Sequence, residues 1–285
     1  MAKKSENREW TTIITPKKRT GLMIKEVLSY RDLIWLNVCR IFKVKYKQTV
    51  LGPLWFIIQP LLTTLVHTLI FGNLAGLAPD VVPTFLFYMS VNVMWLYFSN
   101  CLTQTSTTFL SHARLFEKVY FPRLTMPIST IISSGLKFFI EFAVFLVAML
   151  IYYLSGANFS VTWVAALTPL LLIQLGLLAM AIGIIISSIT IKYRDLQVLV
   201  SFGLQLWMYL TPVVYGLDSI KSQTLKTIIL CNPVSPVMEL MRYGWLGVGS
   251  TPWEYWGISV IVTLIILIIG VLAFNKAERN FVDTI

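Results

Sequence analysis

Lys137 and Glu141 lie four residues apart inside a long apolar stretch, and they are the ionisable pair this chain places at membrane depth. On a helix they share one face and can neutralise each other. A buried ionisable group is costly, so such a pair marks either a polar patch in a translocation path or a self-neutralised helix contact. Both readings stand. His67 falls in another apolar run with no His, Cys or carboxylate at ligand spacing, and it reads as a hydrogen-bonded helix-contact residue. Cys39, Cys101 and Cys231 are far apart, giving neither a metal pattern nor an evident disulfide. No glycine is followed by lysine, so the phosphate loop G-x-x-x-x-G-K-[ST] is absent. No Ser/His/Asp order, zinc spacing or carboxylate cluster stands out either. Catalytic, cofactor-binding and metal residues are therefore expected to be none, and any ATP-driven work needs a partner to hydrolyse the ATP.

Aromatic side chains offer a second kind of chemistry. Tyr88, Trp95, Trp207, Tyr209 and Tyr215 lie in or at the ends of apolar runs. Interfacial belts and packing account for most such residues. Trp207 and Tyr209, shortly before Pro212, lie too deep for a belt and could offer stacking faces to sugar rings in a channel. With Lys137 and Glu141 these five form a candidate path. The stretch LSHARLFEKVYFPRLTMP, read as a loop, mixes Arg114, Glu117, Lys118, Tyr120 and Arg123 with Leu115, Phe116, Val119 and Phe121. A merely solvated loop has little use for those aromatics, so it reads as a docking surface for a soluble partner.

The elements that must position these residues are membrane helices. The 285 residues are 56% hydrophobic and only 13% charged, with a mean hydropathy of +0.75. That is too little polar material to cover a globule, and the fold expected is an all-α, polytopic membrane protein. Hydropathy predicts six spans at about 51–72, 84–109, 126–154, 162–190, 198–217 and 254–274, forming a permease domain over 48–274. Residues 1–30 form a charged tail without the apolar core of a secretory signal, and 275–285 a second tail. Of the 23 Lys and Arg residues, 12 lie within the first 47 positions, and the short basic connections at 110–125 and 191–197 fall on the same side. Both termini are therefore expected in the cytoplasm. No feature points to nucleic acid.

Residues 31–47 precede the first span. On a helical wheel Ile34, Trp35, Val38, Cys39, Ile41, Phe42 and Tyr46 share one broad face, with Arg40, Lys43 and Lys47 opposite. This is the pattern of an amphipathic helix lying in a membrane interface. Gly52 and Pro53 end it before the apolar run. On the other side of the membrane, 218–253 is longer than the neighbouring turns, and its piece SPVMELMRYGWLG reads as a short amphipathic helix dipping into the interface.

Four stretches together resemble the permease subunits of ABC transporters that export O-antigen and teichoic acid, in the type-2 ABC permease superfamily. They are VKYKQTVLGPLWFIIQPLL at 44–62, LFEKVYFPRLTMPIS at 115–129, YRDLQVLVSFGLQLWMYLTPVVY at 193–215 and NPVSPVMELMRYGWLG at 232–247. The resemblance implies a homodimer of six-span subunits in a bacterial inner membrane, with two copies of a nucleotide-binding ATPase subunit supplying the energy from ATP and Mg. The cargo it implies is a polyprenyl-diphosphate-linked polysaccharide. It also implies that 31–47, with Trp35, Arg40, Lys43 and Lys47, is an interface helix flanking the ATPase. The coupling region would be 110–125, with Arg114, Glu117, Lys118, Tyr120 and Arg123, and with Arg194 and Asp195 near the same interface. Short external gate helices would carry Pro233, Pro236, Glu239 and Arg242. The alternatives are a type-2 ABC permease for a drug or simple lipid, an ion-coupled carrier, and a membrane glycan enzyme. A shortage of buried ionisable residues disfavours the carrier, and the sparse carboxylates of the external loop disfavour the enzyme.

Overall fold

A computed structural model describes residues 27, 29–46, 52–118, 121–190, 193 and 195–283, without the side chains of 45, 46, 113, 114, 116–118 and 278–283. Among these residues every regular element is helical. The first, α1, is Arg31–Tyr46; α2 is Trp55–His67, entered through a 3-10 turn at Gly52–Leu54 and continued by a π-helical turn at Thr68–Leu74. Then come α3 (Thr84–Ser106), α4 (Thr108–Lys118), α5 (Thr125–Leu154), α6 (Thr168–Thr190), α7 (Leu196–Tyr209), α8 (Gln223–Cys231), α9 (Ser235–Leu246) and α10 (Trp253–Asp283).

Five helical stretches among the described residues are long and apolar enough to cross a bilayer: Gly52–Leu74, Thr84–Ser106, Thr125–Leu154, Trp163–Thr190 and Trp253–Ala277. The protein is thus a multi-pass membrane protein. The stretch expected to span at 198–217 differs. There α7 has 14 residues, roughly 21 Å at 1.5 Å per residue, against about 30 Å of hydrocarbon. Its helical register stops before Pro212, which cannot continue it, and the chain turns back through α8 and α9 at the same end of the bundle.

The core is organised around α3, whose most apolar window is 83% buried, against 22% for the first stretch and 28% for the last. Close approach is set by small residues, the means by which membrane helices pack without a hydrophobic drive between them. A side chain at Gly183 of α6 would press on Thr105 of α3, and one at Gly270 of α10 would meet the Ala181 carbonyl of α6 at 2.8 Å. Outward faces remain apolar, for example Leu65 and Leu69 beside α2, and Leu199, Phe202 and Leu206 on α7.

The stretch around 110–125 is largely helix rather than loop. Ser106, Thr107 and Thr108 bond back to the carbonyls of Thr103, Gln104 and Thr105. Such local side-chain bonds compete with the helical ladder, and they separate α3 from α4. Phe109 then stacks on Phe274 at 4.6 Å and donates its backbone N–H to Ser187 Oγ at 3.2 Å, which fastens α4 to α10 and α6.

Candidate functional site

Two clusters of buried polar groups stand at different depths. The first lies between α2 and α5. Lys137 Nζ is 3.1 Å from Glu141 Oε1 and donates to Gln59 Oε1 at 3.2 Å. Both side chains are almost wholly buried. The pair is thus closed on itself and on a neighbouring helix, and Gln59 is a partner that charge and spacing alone did not reveal. His67 is buried edge-on to Phe71 and Tyr88, at 5.9 and 6.3 Å. Among the described residues no three His, Cys, Asp or Glu side chains gather as metal ligands, and all three cysteines are unbridged.

The second cluster is at the end of the bundle that carries α8 and α9. Pro236 lies in the first turn of α9, where its fixed φ suits the start of a helix, and Gly247 ends it in the left-handed conformation at φ 69°. Though rich in polar letters, α9 is buried in protein: Glu239 and Arg242 have no exposed surface. Arg242 Nη1 donates to Glu239 Oε1 at 2.6 Å, and Nη2 donates to the Pro212 carbonyl at 2.7 Å. Its guanidinium carbon lies 4.1 Å from the centre of the Phe87 ring. One side chain therefore joins α9, the turn after α7 and α3. Burial pushes the Glu239 carboxyl up, while the neighbouring guanidinium holds it down. Asn232, just before Pro233, completes the arrangement. It accepts from Trp207 Nε1 at 3.1 Å and donates to Thr211 Oγ1 at 2.9 Å, satisfying groups that the end of α7 leaves open.

More bonds fix α9 from other sides. Trp245 Nε1 donates to Thr168 Oγ1 at 2.9 Å, and the Thr162 N–H donates to the Gly244 carbonyl at 2.8 Å. Below it, Gln174 of α6 donates to Ser259 Oγ at 2.8 Å, Trp256 Nε1 donates to Gln174 at 2.7 Å, and Ser259 donates to the Pro233 carbonyl at 2.5 Å. The α9 cap is thus linked to α3, α6, α7 and α10.

Residues 32–246 match the sequence pattern described as ABC-2 type transporter. The chain belongs to that family. Full-length relatives agree: an O-antigen export system permease protein RfbA of Klebsiella pneumoniae is 29% identical over 92% of this ABC-2 chain and 99% of its own length. RfbA of Myxococcus xanthus is 29% identical over 77% and 81%, and the polysialic acid transport protein KpsM of Escherichia coli is 26% identical over 92% and 97%.

The remaining sequence candidates fall as follows in this ABC-2 chain. Tyr88 and Trp95 are buried in the core of α3. Trp207 is half-buried, edge-on to Phe98 at 5.3 Å, whereas Tyr209 is exposed near Phe71, and Tyr215 lies partly buried in the turn after α7. Of these aromatics, Trp207 lines an apolar cavity with Leu199, Leu206 and Leu210. On α1, Ile34 and Val38 are buried against Leu124 and Ile128, and Phe42 stacks on Phe56 at 5.5 Å. Trp35, grouped with them on the wheel, instead points outward at 61% exposure. Asn37 is buried on the packed face, because that face is set by contact with α5 and not by polarity alone. Arg40 and Lys43 are on the outer side, Arg123 is buried at the entry to α5, and Asp195 is exposed before α7. Lys47, Tyr120 and Arg194 lie outside the described residues, as do the side chains of Arg114, Glu117 and Lys118.

Proposed function

We propose that this ABC-2 chain is the membrane subunit of a polysaccharide exporter, moving a polyprenyl-diphosphate-linked glycan of O-antigen-like or teichoic acid-like kind across a bacterial inner membrane. The observation that carries this reading is end-to-end similarity to an O-antigen export permease and a polysialic acid transport protein, each matched over 92% of this chain. In this reading two copies pair, and each engages a separate ATPase subunit that hydrolyses ATP. The concentration of Lys and Arg in the first 47 positions supports cytoplasmic termini.

The chain's own contribution is mechanical. Closure of the ATPase pair presses on α4, and the Phe109–Phe274 and Phe109–Ser187 contacts hand that displacement to α10 and α6. Those two helices hold the Gln174–Ser259–Trp256 bonds beneath the α9 cap, so a push at one end reaches the gate elements at the other. Lys137 and Glu141 serve here as a neutralised helix contact, while the exposed Tyr209 remains available to face a passing chain.

The test is purification of the tagged chain from its own host's membranes, with ATP hydrolysis and co-purifying subunits measured, alongside surface glycan in a deletion strain. Vanadate-sensitive hydrolysis by a stoichiometric ATPase subunit, and loss of surface glycan with lipid-linked glycan retained inside, are expected. Unchanged surface glycan would sink the cargo assignment. Charge reversal at Glu117 is expected to lower coupled ATPase activity, and wild-type activity would remove its docking role; Arg123, buried at the entry to α5, is not used as a docking contact.

A further inference from the structure

A cavity of about 240 Å³ opens beside the Glu239–Arg242 pair, walled by the turn at 76–79, the turn at 216–219 and the bend at 248–249. Glu239 spends one carboxylate oxygen on Arg242, and its other oxygen, Oε2, has no hydrogen-bond partner although the residue is fully buried. The Ser250 backbone N–H also favours its charged form. Gly249 forms the wall that Oε2 faces: a side chain there would come within 2.7 Å of that oxygen, and φ is +97°. Only glycine fits against that carboxylate oxygen with this backbone.

The charges decide what the cavity suits. Asp218 stands exposed at its mouth, and with Glu239 and Arg242 it leaves one net negative charge among the lining residues. Two guanidinium nitrogens of Arg242 are committed, to Glu239 and to Pro212, while Nε has no partner and offers one N–H to an acceptor. A divalent metal finds too few donors, since no three ligating side chains gather among the described residues. A bare sugar ring finds no stacking face, because Arg242 already covers Phe87. The rest of the lining, including Leu77, Ala78 and Val248, is apolar. A cation that donates to Glu239 and Asp218, with an oxygen close by to accept from Arg242 and a short carbon link between, matches every one of these features.

We propose that this cavity binds a primary ammonium group two carbons removed from an oxygen, the unit shared by ethanolamine phospholipid headgroups and 2-amino sugars. Its position at the rim of the bundle lets either source reach it, from the surrounding leaflet or from a passing chain. The assignment does not depend on the cargo proposed above.

Two measurements on the purified full-length chain test it. One is native mass spectrometry after reconstitution in phosphatidylcholine nanodiscs with and without phosphatidylethanolamine. The other is a thermal-shift titration with O-phosphoethanolamine and glucosamine, with phosphocholine and glucose as controls. Retained phosphatidylethanolamine with stabilisation by O-phosphoethanolamine supports the site with a lipid source; stabilisation by glucosamine alone supports it with a sugar source. Asp218→Asn, at an exposed position, is expected to weaken the response about tenfold, in line with loss of one charged hydrogen bond. Ala78→Leu, which fills the cavity and leaves its charges in place, is expected to abolish it. Glu239→Gln probes the central carboxylate, while the other two variants keep the test decisive where that one fails to fold. A chain that responds to neither amine, responds equally to the controls, or responds unchanged in both Asp218→Asn and Ala78→Leu holds only water there, and the proposal is overturned.

Discussion

Arg242 donates from Nη2 to the backbone carbonyl of Pro212, 2.7 Å away and thirty residues earlier in the chain. The helix break at Pro212 and the buried arginine of α9 are therefore one structural feature, since each supplies what the other lacks. Removing Arg242 leaves the Glu239 charge and the Pro212 carbonyl buried without their partner. Arg242→Met is expected to cost about 3–5 kcal/mol, as breaking one side of a buried pair does. Replacing both partners, Arg242→Met with Glu239→Leu, is expected to recover most of that loss. Thermal unfolding of the three proteins in one detergent checks it, and a double variant as unstable as the single would refute the coupled account.

Two glycines of α10 make a matched comparison. Gly257 has open space where a side chain would go, whereas a side chain at Gly270 would meet the Ala181 carbonyl at 2.8 Å. Gly257→Ala is expected to be neutral or to stabilise by up to about 1 kcal/mol through reduced unfolded-chain entropy. Gly270→Ala is expected to destabilise by about 1–3 kcal/mol, because the backbone of α6 must give way. Unfolding midpoints of the pair decide it; equal midpoints would mean that α6 and α10 are not held at this distance.

Much of this architecture was legible in the residues. Of the six apolar runs read as spans, five are long helices, because membrane insertion depends on contiguous hydrophobicity, a property local to the sequence. The piece at 235–246 read as a short amphipathic helix dipping into the interface, and it is a short helix whose charged side chains are buried in protein. The length of α7 was not legible, since the run to 217 is apolar enough to span and only the turn at Pro212 with its tertiary hydrogen bonds ends the helix. Nor was the helical state of 108–118, where the evidence is the anchoring of Phe109 on Phe274. The sequence places Glu239 and Arg242 on a short external helix, but their burial as a pair was not legible, because burial of a pair is a tertiary fact. Their spacing of three was the available signal, the same kind that marked Lys137 and Glu141. Gln59 and Asn232 carry no such signal, for a lone amide does not disclose its partner.

His112, on α4, couples stability to pH. Burial lowers its pKa, as does the positive charge of Arg40, while its bond from Nδ1 to the Thr108 carbonyl at 3.2 Å raises it. With a folded pKa below that of the unfolded chain, near 6.5, the unfolded state binds more protons between the two values. Stability therefore falls as pH drops through about 6.5 and levels off below the folded pKa. Unfolding midpoints across this range are expected to decline towards acid, with a shallower decline in His112→Gln. An identical slope in the variant would place the titration elsewhere.

The Lys137–Glu141 pair separates a structural role from a transport role. Lys137 also donates to Gln59 on α2, so the pair fastens α5 to α2 as well as neutralising itself. Lys137→Met alone leaves a buried carboxylate without its cation and is expected to lose about 3–5 kcal/mol, with reduced yield of folded protein. Lys137→Met with Glu141→Leu removes both charges and replaces them by side chains of similar bulk, so folding is expected to return close to wild type. Gln59→Leu in the wild-type background is expected to cost about 1 kcal/mol, the net worth of an ordinary hydrogen bond. Transport by the folded double variant then gives the answer. Activity per folded molecule near wild type is expected from a helix contact, whereas a well-folded double variant that cannot transport would put the pair in the path of the substrate.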